Sequence, residues 1–179
     1  NQNKKWQLIG QPLFGIGLVF IGMKQMSTGG DAISQLPFFH NLLEILSHQV
    51  VLGVLAGSVF TAILNSSTAM TGLVIAMGKS NNISLLAAIS LILGANIGSC
   101  ITGWLASRKS STNAKRASYA QIFINLGGVL LFLPFITPFA NFISNTSILL
   151  PRQIDNEHTI FNIAVSVILI PFVKTLNKL

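Results

Sequence analysis

Acidic side chains are nearly missing from this sequence: Asp31, Glu44, Asp155 and Glu157 are the four carboxylates in 179 residues. Basic residues are few as well, so charged side chains make up 8% of the chain, against about 25% in a soluble globular domain. That scarcity excludes an ordinary solvated surface. A single cysteine, Cys100, excludes an intrachain disulfide and any CxxC metal or redox centre, and reads as a small packing residue. His40 and His48 lack partners at metal-ligand spacing and read as interfacial polar residues, and His158 reads as an interfacial or helix-starting residue. No Gly-x-Ser-x-Gly elbow surrounds any serine, and no carboxylate clearly orients His158, which argues against a serine hydrolase. All four carboxylates fall at the boundaries of apolar runs, a placement that weakens a proton-relay mechanism.

What remains is apolar. Hydrophobic residues make up 51% of the chain, with a mean hydropathy of +0.67. Several runs reach the roughly 20 residues that cross a hydrocarbon core. The expectation is an all-α integral membrane protein. The net charge of +7 would suit nucleic acid, but the basic residues lie mainly in short segments between apolar runs. Their densest cluster, Arg108, Lys109, Lys115 and Arg116, carries no interleaved aromatic platform for bases. It reads as a cytoplasmic loop under the positive-inside rule, with no nucleic-acid partner. Trp6 and Trp104 read as interfacial belt residues. No small-residue cleavage site follows the first apolar run. The chain starts with Asn rather than Met, so a processed chain or part of a longer polypeptide is expected.

Residues 8–29 form the first expected span, with Gly10, Gly15, Gly17 and Gly22 thinning one side for close helix contact. Residues 31–49 mix Asp31, His40, Glu44 and His48 with aliphatic residues, as an interfacial amphipathic helix does, with Pro37 disturbing it. Residues 50–78 are interrupted by the polar run Asn65-Ser66-Ser67-Thr68. Each arm is too short to span, so a re-entrant hairpin folding back at the polar turn is preferred over one crossing helix. Lys79 to Asn82 form a polar turn, and Ser84 is a helix N-cap. A second interruption, Gly94-Ala95-Asn96-Ile97-Gly98-Ser99, indicates unwound or closely packed backbone. Residues 117–135 form another span, kinked or ended by Pro134 and Pro138, followed by a polar connection over residues 141–156. The last span runs over residues 158–172, anchored by Lys174 and Lys178.

Hydrocarbon offers no partner to hydroxyls, amides or broken backbone. Four adjacent polar residues beside a second polar break therefore point to a site rather than to packing alone. Ser66, Ser67 and Thr68 hydroxyls and the N–H groups at the start of a following helix are donors suited to an anion. Asn65 and Asn96 amides suit an anion or a cation. Asn125 and Asn162 lie inside later spans and join the same polar set or bond between helices.

These motifs resemble the sodium–phosphate type II cotransporter family, whose two inverted repeats each carry a Gln-Ser-Ser-Ser and a Gly-Ala-Asn-Ile-Gly-Thr signature. Here the first reads Asn65-Ser66-Ser67-Thr68 and the second Gly94-Ala95-Asn96-Ile97-Gly98-Ser99. The stretch from Gln121 to Gly128, holding Asn125, is similar to the family's Ala-His-x-x-Phe-Asn region. His158-Thr159-Ile160-Phe161-Asn162 is similar to its closing His-Thr-x-Phe-Asn element. Asn65 stands where the family has Gln, Thr68 where it has Ser, Ser99 where it has Thr, and Gln121 where it has His. The order matches the family's second repeat over residues 13–172.

The resemblance implies a non-enzymatic, multi-pass protein of the bacterial inner membrane, a bundle with a re-entrant hairpin and broken helices. It implies that residues 1–179 form one repeat, the C-terminal half of a longer inverted-repeat transporter. The implied function is sodium-coupled phosphate transport; the alternatives are a non-autonomous membrane subunit or a carrier of another small anion. The implied site residues are Asn65, Ser66, Ser67, Thr68, Asn96, Ser99, Thr102, Asn125 and Asn162, with Na+ held by Ser67, Thr68 and Asn96. No cofactor is implied beyond the coupling sodium ion. The implied partners are phosphate, Na+, the bilayer and a second homologous repeat.

Overall fold

The computed structural model describes residues 2–34, 36–169 and 171. Phe172, Lys174 and Lys178, expected at the end of the last span, lie outside the described residues, as do the side chains of Asp31 and His40. The described chain is α-helical throughout: α1 (Gln2–Ser34), α2 (Pro37–His48), α3 (Val50–Leu64), α4 (Ser67–Lys79), α5 (Leu85–Ser107), α6 (Thr112–Phe132), α7 (Ile136–Ser144) and α8 (Leu150–Leu169), with a 3-10 turn over Leu133–Phe135. Among the described residues, three helical stretches are long and apolar enough to cross a membrane: Trp6–Met26, Leu85–Ser107 and Thr112–Ser144. At 15 and 13 residues, α3 and α4 are too short to do so unaided.

Local chemistry sets most boundaries. Pro37 opens α2 instead of disturbing it, because the first helical position has no N–H to lose. Asn65 ends α3 in the left-handed region at φ 54°, a conformation Asn tolerates better than most residues. Ser66 then turns extended and caps α4, its hydroxyl accepting from Ala69 N–H at 3.1 Å. Ser84 caps α5 in the same way and Ser111 caps α6. Pro134 tightens the end of α6 into the 3-10 turn, and the helix resumes as α7. The expected polar connection over residues 141–156 is partly helical, since α7 runs to Ser144 and α8 starts at Leu150.

The core is α5, buried along most of its length and packed in parallel against α3. Four glycines let the two backbones meet. A Cβ on Gly57 would collide with the Leu91 carbonyl, and one on Gly94 with the Val54 carbonyl. One on Gly53 would lie 2.5 Å from Ser90 Cβ, and one on Gly98 would collide with the Ser58 carbonyl and lie 2.8 Å from Thr61 Cβ. Spaced four apart on each helix, these pairs form one smooth stripe per helix. Ser58 ties the seam, donating to Val54 O at 2.8 Å and across it to Gly94 O at 3.0 Å.

Two expectations change here. Gly94 to Ser99 do not break the helix; α5 runs straight through them, and the glycines serve close packing instead of unwinding. On α1 the reverse holds. Gly10, Gly15, Gly17, Gly22 and Gly29 meet nothing within 4 Å, and among the described residues none of the apolar Trp6–Met26 stretch is buried, although Met26 lies beside Gly72 of α4.

Two apolar clusters complete the core. Leu43 and Leu46 of α2 join Met70, Val74 and Met77 of α4, Leu91 and Ile92 of α5, and Ile154 of α8. Ile89 and Leu93 of α5 join Val129, Ile136, Ala140, Phe161 and Val165 from α6 to α8. Phe132 packs edge-to-face on Phe139 and Phe161 at about 5 Å between ring centres.

Because a methyl at Gly94 has no space, Gly94→Ala is expected to cost about 1–3 kcal/mol through overpacking. Gly10→Ala, with open space around it, is expected to change stability little. Thermal unfolding of the two variants in the same detergent measures the contrast.

Candidate polar site at the helix turn and the Asn96 network

Antiparallel α4 and α8 set the first half of the site. Gly78 of α4 lies against Ile154 and Leu150 of α8, and Thr71 Oγ1 lies 3.4 Å from His158 Nδ1. Continuing that register one turn puts Ser67 level with Asn162. Each helix thus presents a polar pair four residues apart, Ser67 and Thr71 on one, His158 and Asn162 on the other. Asn162 Nδ2 donates to His158 O at 2.7 Å, which leaves its amide oxygen available. Asn65 and Thr68 are exposed, while Ser66 and Ser67 are half-buried. The N–H groups of the first turn of α4 lack intrahelical partners, and Ser66 satisfies one of them.

The second half is a network on α5 and α6. The Asn96 carbonyl accepts from Ser99 Oγ at 2.8 Å and from Asn125 Nδ2 at 3.1 Å. Asn125 also reaches Cys100 Sγ at 3.2 Å, and Thr102 Oγ1 donates to Ser99 O at 2.8 Å. Asn96 is buried, yet its side-chain Nδ2 has no hydrogen-bond partner. An unsatisfied buried amide costs about 1–3 kcal/mol, and no described residue offsets that cost here.

The parallel seam relates the halves. Thr61 meets Gly98, so one turn further the Asn65 turn stands level with Thr102. The nine expected residues therefore form two groups: Asn65 to Thr68 with Asn162, and Asn96, Ser99, Thr102 with Asn125. Of the residues expected to share a sodium ion, Ser67 and Thr68 start α4 and Asn96 lies on α5, with no hydrogen bond between the two helices at these residues among those described. At the C-terminal end of α5, Arg108 stacks over Trp104, 4.9 Å from the ring centre.

Sequence reading missed three polar side chains that are buried without a hydrogen-bond partner. Glu157, expected at a boundary, is fully buried, and neither carboxyl oxygen has a hydrogen-bond partner. Thr61 and Ser118 also bury hydroxyls without partners. For Glu157 the signal was its place on one stripe with Ile154, Phe161 and Val165, at helical spacing across a segment expected to be loop.

Residues 33–149 match the family described as Na+/Pi-cotransporter. The uncharacterized protein YqeW of Bacillus subtilis (strain 168) is 28% identical over 96% of this chain and 56% of its own length. A Salmonella typhimurium (strain LT2) protein, provisionally named for inorganic phosphate export (YjbB), is 26% identical over 99% of this chain and 32% of its own. Human sodium-dependent phosphate transport protein 2B is 33% identical over 59% of this chain and 16% of its own. The chain thus spans about half of the Bacillus protein and about a third of the Salmonella one. No solved structure matches.

Asn125→Leu removes both the bond to the Asn96 carbonyl and the bond to Cys100 while keeping side-chain volume. At about 1 kcal/mol per hydrogen bond, a loss of about 2 kcal/mol is expected in detergent unfolding. The match over residues 33–149 places this chain in the Na+/Pi-cotransporter family, a family of transporters and not of enzymes.

Proposed function

We propose that this chain is one repeat of a sodium-coupled phosphate transporter of the bacterial inner membrane, and that α3 and α4 form a re-entrant hairpin whose turn binds the ions. The observation that carries this reading is the α3–α4 junction. There two helix ends meet at Asn65 and Ser66, within a chain of phosphate-transporter ancestry.

The two ends have opposite polarity. The N-terminus of α4 carries about half a positive charge and presents free N–H groups beside the Ser66, Ser67 and Thr68 hydroxyls. Phosphate at neutral pH brings between about one and two negative charges and several acceptor oxygens, and it fits that end. The last carbonyls of α3 carry the complementary negative charge and suit sodium, with Asn65 and a Ser67 or Thr68 oxygen completing its shell. Asn96 Nδ2 and the Asn162 amide oxygen supply a donor and an acceptor from the flanking helices. The exposure of Asn65 and Thr68, and the uncovered apolar face of α1, support a second homologous repeat closing over this surface. A hydroxyl or amide left facing lipid costs several kcal/mol, so one repeat alone is an unfavourable carrier.

Radiolabelled phosphate uptake into membrane vesicles, with and without a sodium gradient, tests the proposal. Ser67→Ala and Asn96→Ala are each expected to lower phosphate affinity about ten- to hundredfold, the effect of losing one hydrogen bond to a charged ligand. Ser110→Ala, in the loop before α6, is expected to leave uptake unchanged. Uptake indifferent to both site variants would place the ions elsewhere.

Orientation is tested separately. With residues 108–116 on the cytoplasmic side, a cysteine replacing Ser111 in a Cys100→Ser background is expected to react with an impermeant maleimide only from the inner face. Labelling in intact cells would reverse the orientation.

A further inference from the structure

Glu157 is the least expected residue of the fold. Its side chain has no exposed surface, and neither oxygen finds a hydrogen-bond donor. On α8 it lies between Ile154, one turn before, and Phe161, one turn after. Ile154 packs among the α2, α4 and α5 residues of one apolar cluster, and Phe161 among the α3, α5, α6 and α7 residues of the other. The carboxyl therefore sits where α8 meets α4 and α5, flanked by hydrocarbon above and below.

The surrounding charges do not relieve it. Of the helices packed on α8, α4 carries only Lys79, exposed next to Gly78 at the end that meets Leu150 and Ile154 and not bonded to the Glu157 carboxyl, and α7 carries no titratable group. On α5 the one titratable side chain is Cys100, which bonds to the Asn96 carbonyl. On α6, Lys115, Arg116 and Tyr119 are exposed near the N-terminal end. On α8 itself, Arg152 and Asp155 are exposed, and the His158 ring is directed to Thr71.

An ionised carboxylate in such a place, with no ion partner, costs many kcal/mol. A positive charge must accompany it, and its surroundings decide which one. Sodium requires a shell of several oxygens, whereas the stripe around Glu157 offers Ile154, Phe161 and Val165. A proton requires only one carboxyl oxygen. We propose that Glu157 is a proton-binding site, occupied in this arrangement of α8 against α4 and α5 and emptied when α8 parts from them and water reaches the carboxyl. The step is simple in balance: the carboxyl O–H bond breaks, the proton passes to water, and a carboxylate remains. Glu157 follows Asn156 and precedes His158 in the chain, and no hydrogen bond joins its carboxyl to the Asn65 turn or to Asn96. Its consequence for coupling rests on the transport reading above: phosphate flux then depends on pH through a group that touches neither phosphate nor sodium.

The chain contains just two glutamates, Glu44 and Glu157, which makes the test clean. Chain labelled with 13C-carboxyl glutamate and reconstituted in liposomes is expected to show an isotope-shifted protonated-carboxyl C=O band at neutral pH. The band persists in Glu44→Gln, whose site on α2 is exposed, and disappears in Glu157→Gln. Because the Glu44→Gln protein keeps Glu157 intact, the assignment holds even if Glu157→Gln folds poorly. Only carboxylate bands, loss of the protonated band in Glu44→Gln, or its disappearance on adding sodium at constant pH would overturn the proton site. None of these depends on what the chain transports. In membrane vesicles, phosphate flux is expected to vary with pH in the parent and to lose that dependence in Glu157→Gln. The same pH profile in both overturns the coupling role, whereas absence of phosphate flux from the parent paired with its second repeat overturns the transport reading and leaves the infrared result standing.

Discussion

The close parallel contact between α3 and α5 is the constraint from which the other positions follow. Two helices with ordinary side chains pack about 8–10 Å apart. Here glycines at Gly53, Gly57, Gly94 and Gly98 remove the intervening side chains, so carbonyl oxygens of one helix face bare backbone of the other. Ser58 then hydrogen-bonds across the seam, something a wider spacing would forbid. With this register set, α3 must end level with the polar stretch of α5, and the Asn65 turn has one place to go. The chain reverses there, and α4 is laid antiparallel along α5 and α8.

From that arrangement comes the chemical division of the molecule. The turn side holds helix ends, hydroxyls and exposed amides. The interior between α4, α5 and α8 holds hydrocarbon with a single carboxyl embedded in it. Hydrogen bonds within α5 and α6 bind Asn96, Ser99, Cys100 and Asn125 into one rigid unit. By contrast α4 meets α8 across only one polar contact among those described, the long Thr71–His158 pair. A movement that separates α8 from α4 would leave the α3–α5 seam intact, since no hydrogen bond of that seam involves α8. Such a division between a rigid pair and a looser neighbour suits a carrier that exposes a site in turn to two sides.

Membership of the Na+/Pi-cotransporter family accounts for the coincidence of a serine-rich turn and a glycine-flanked asparagine. The fold shows what each motif does physically. The serine run caps a helix and leaves further donors free. The two glycines bring α3 against α5, and the asparagine between them keeps a side-chain amide buried without a partner. Neither role required a broken α5, and the interruption expected from Gly94 and Gly98 reflects an ambiguity of glycine itself. Glycine lowers helix propensity by about 1 kcal/mol, yet in a membrane-type helix close packing outweighs that loss.

What the sequence determined by itself was local or compositional. The scarcity of charge indicated helices long enough to span, Asn65 with Ser66 marked a helix end followed by a helix start, and Ser84 marked another. Each of these depends on a residue and its immediate neighbours, so no knowledge of the fold was needed. Tertiary structure decided whatever depended on which helix faces which. It showed that Gly94 and Gly98 of α5 are packed against α3, while the glycines of α1 meet nothing within 4 Å. It separated the candidate residues into two groups joined only through register. It also moved Glu157 from an apparent loop into the core, because extending α8 back to Leu150 turned a polar-looking segment into a helix with one buried stripe. Burial of a side chain is a property of its neighbours in space, and four isolated acidic letters in a sequence carry no record of those neighbours.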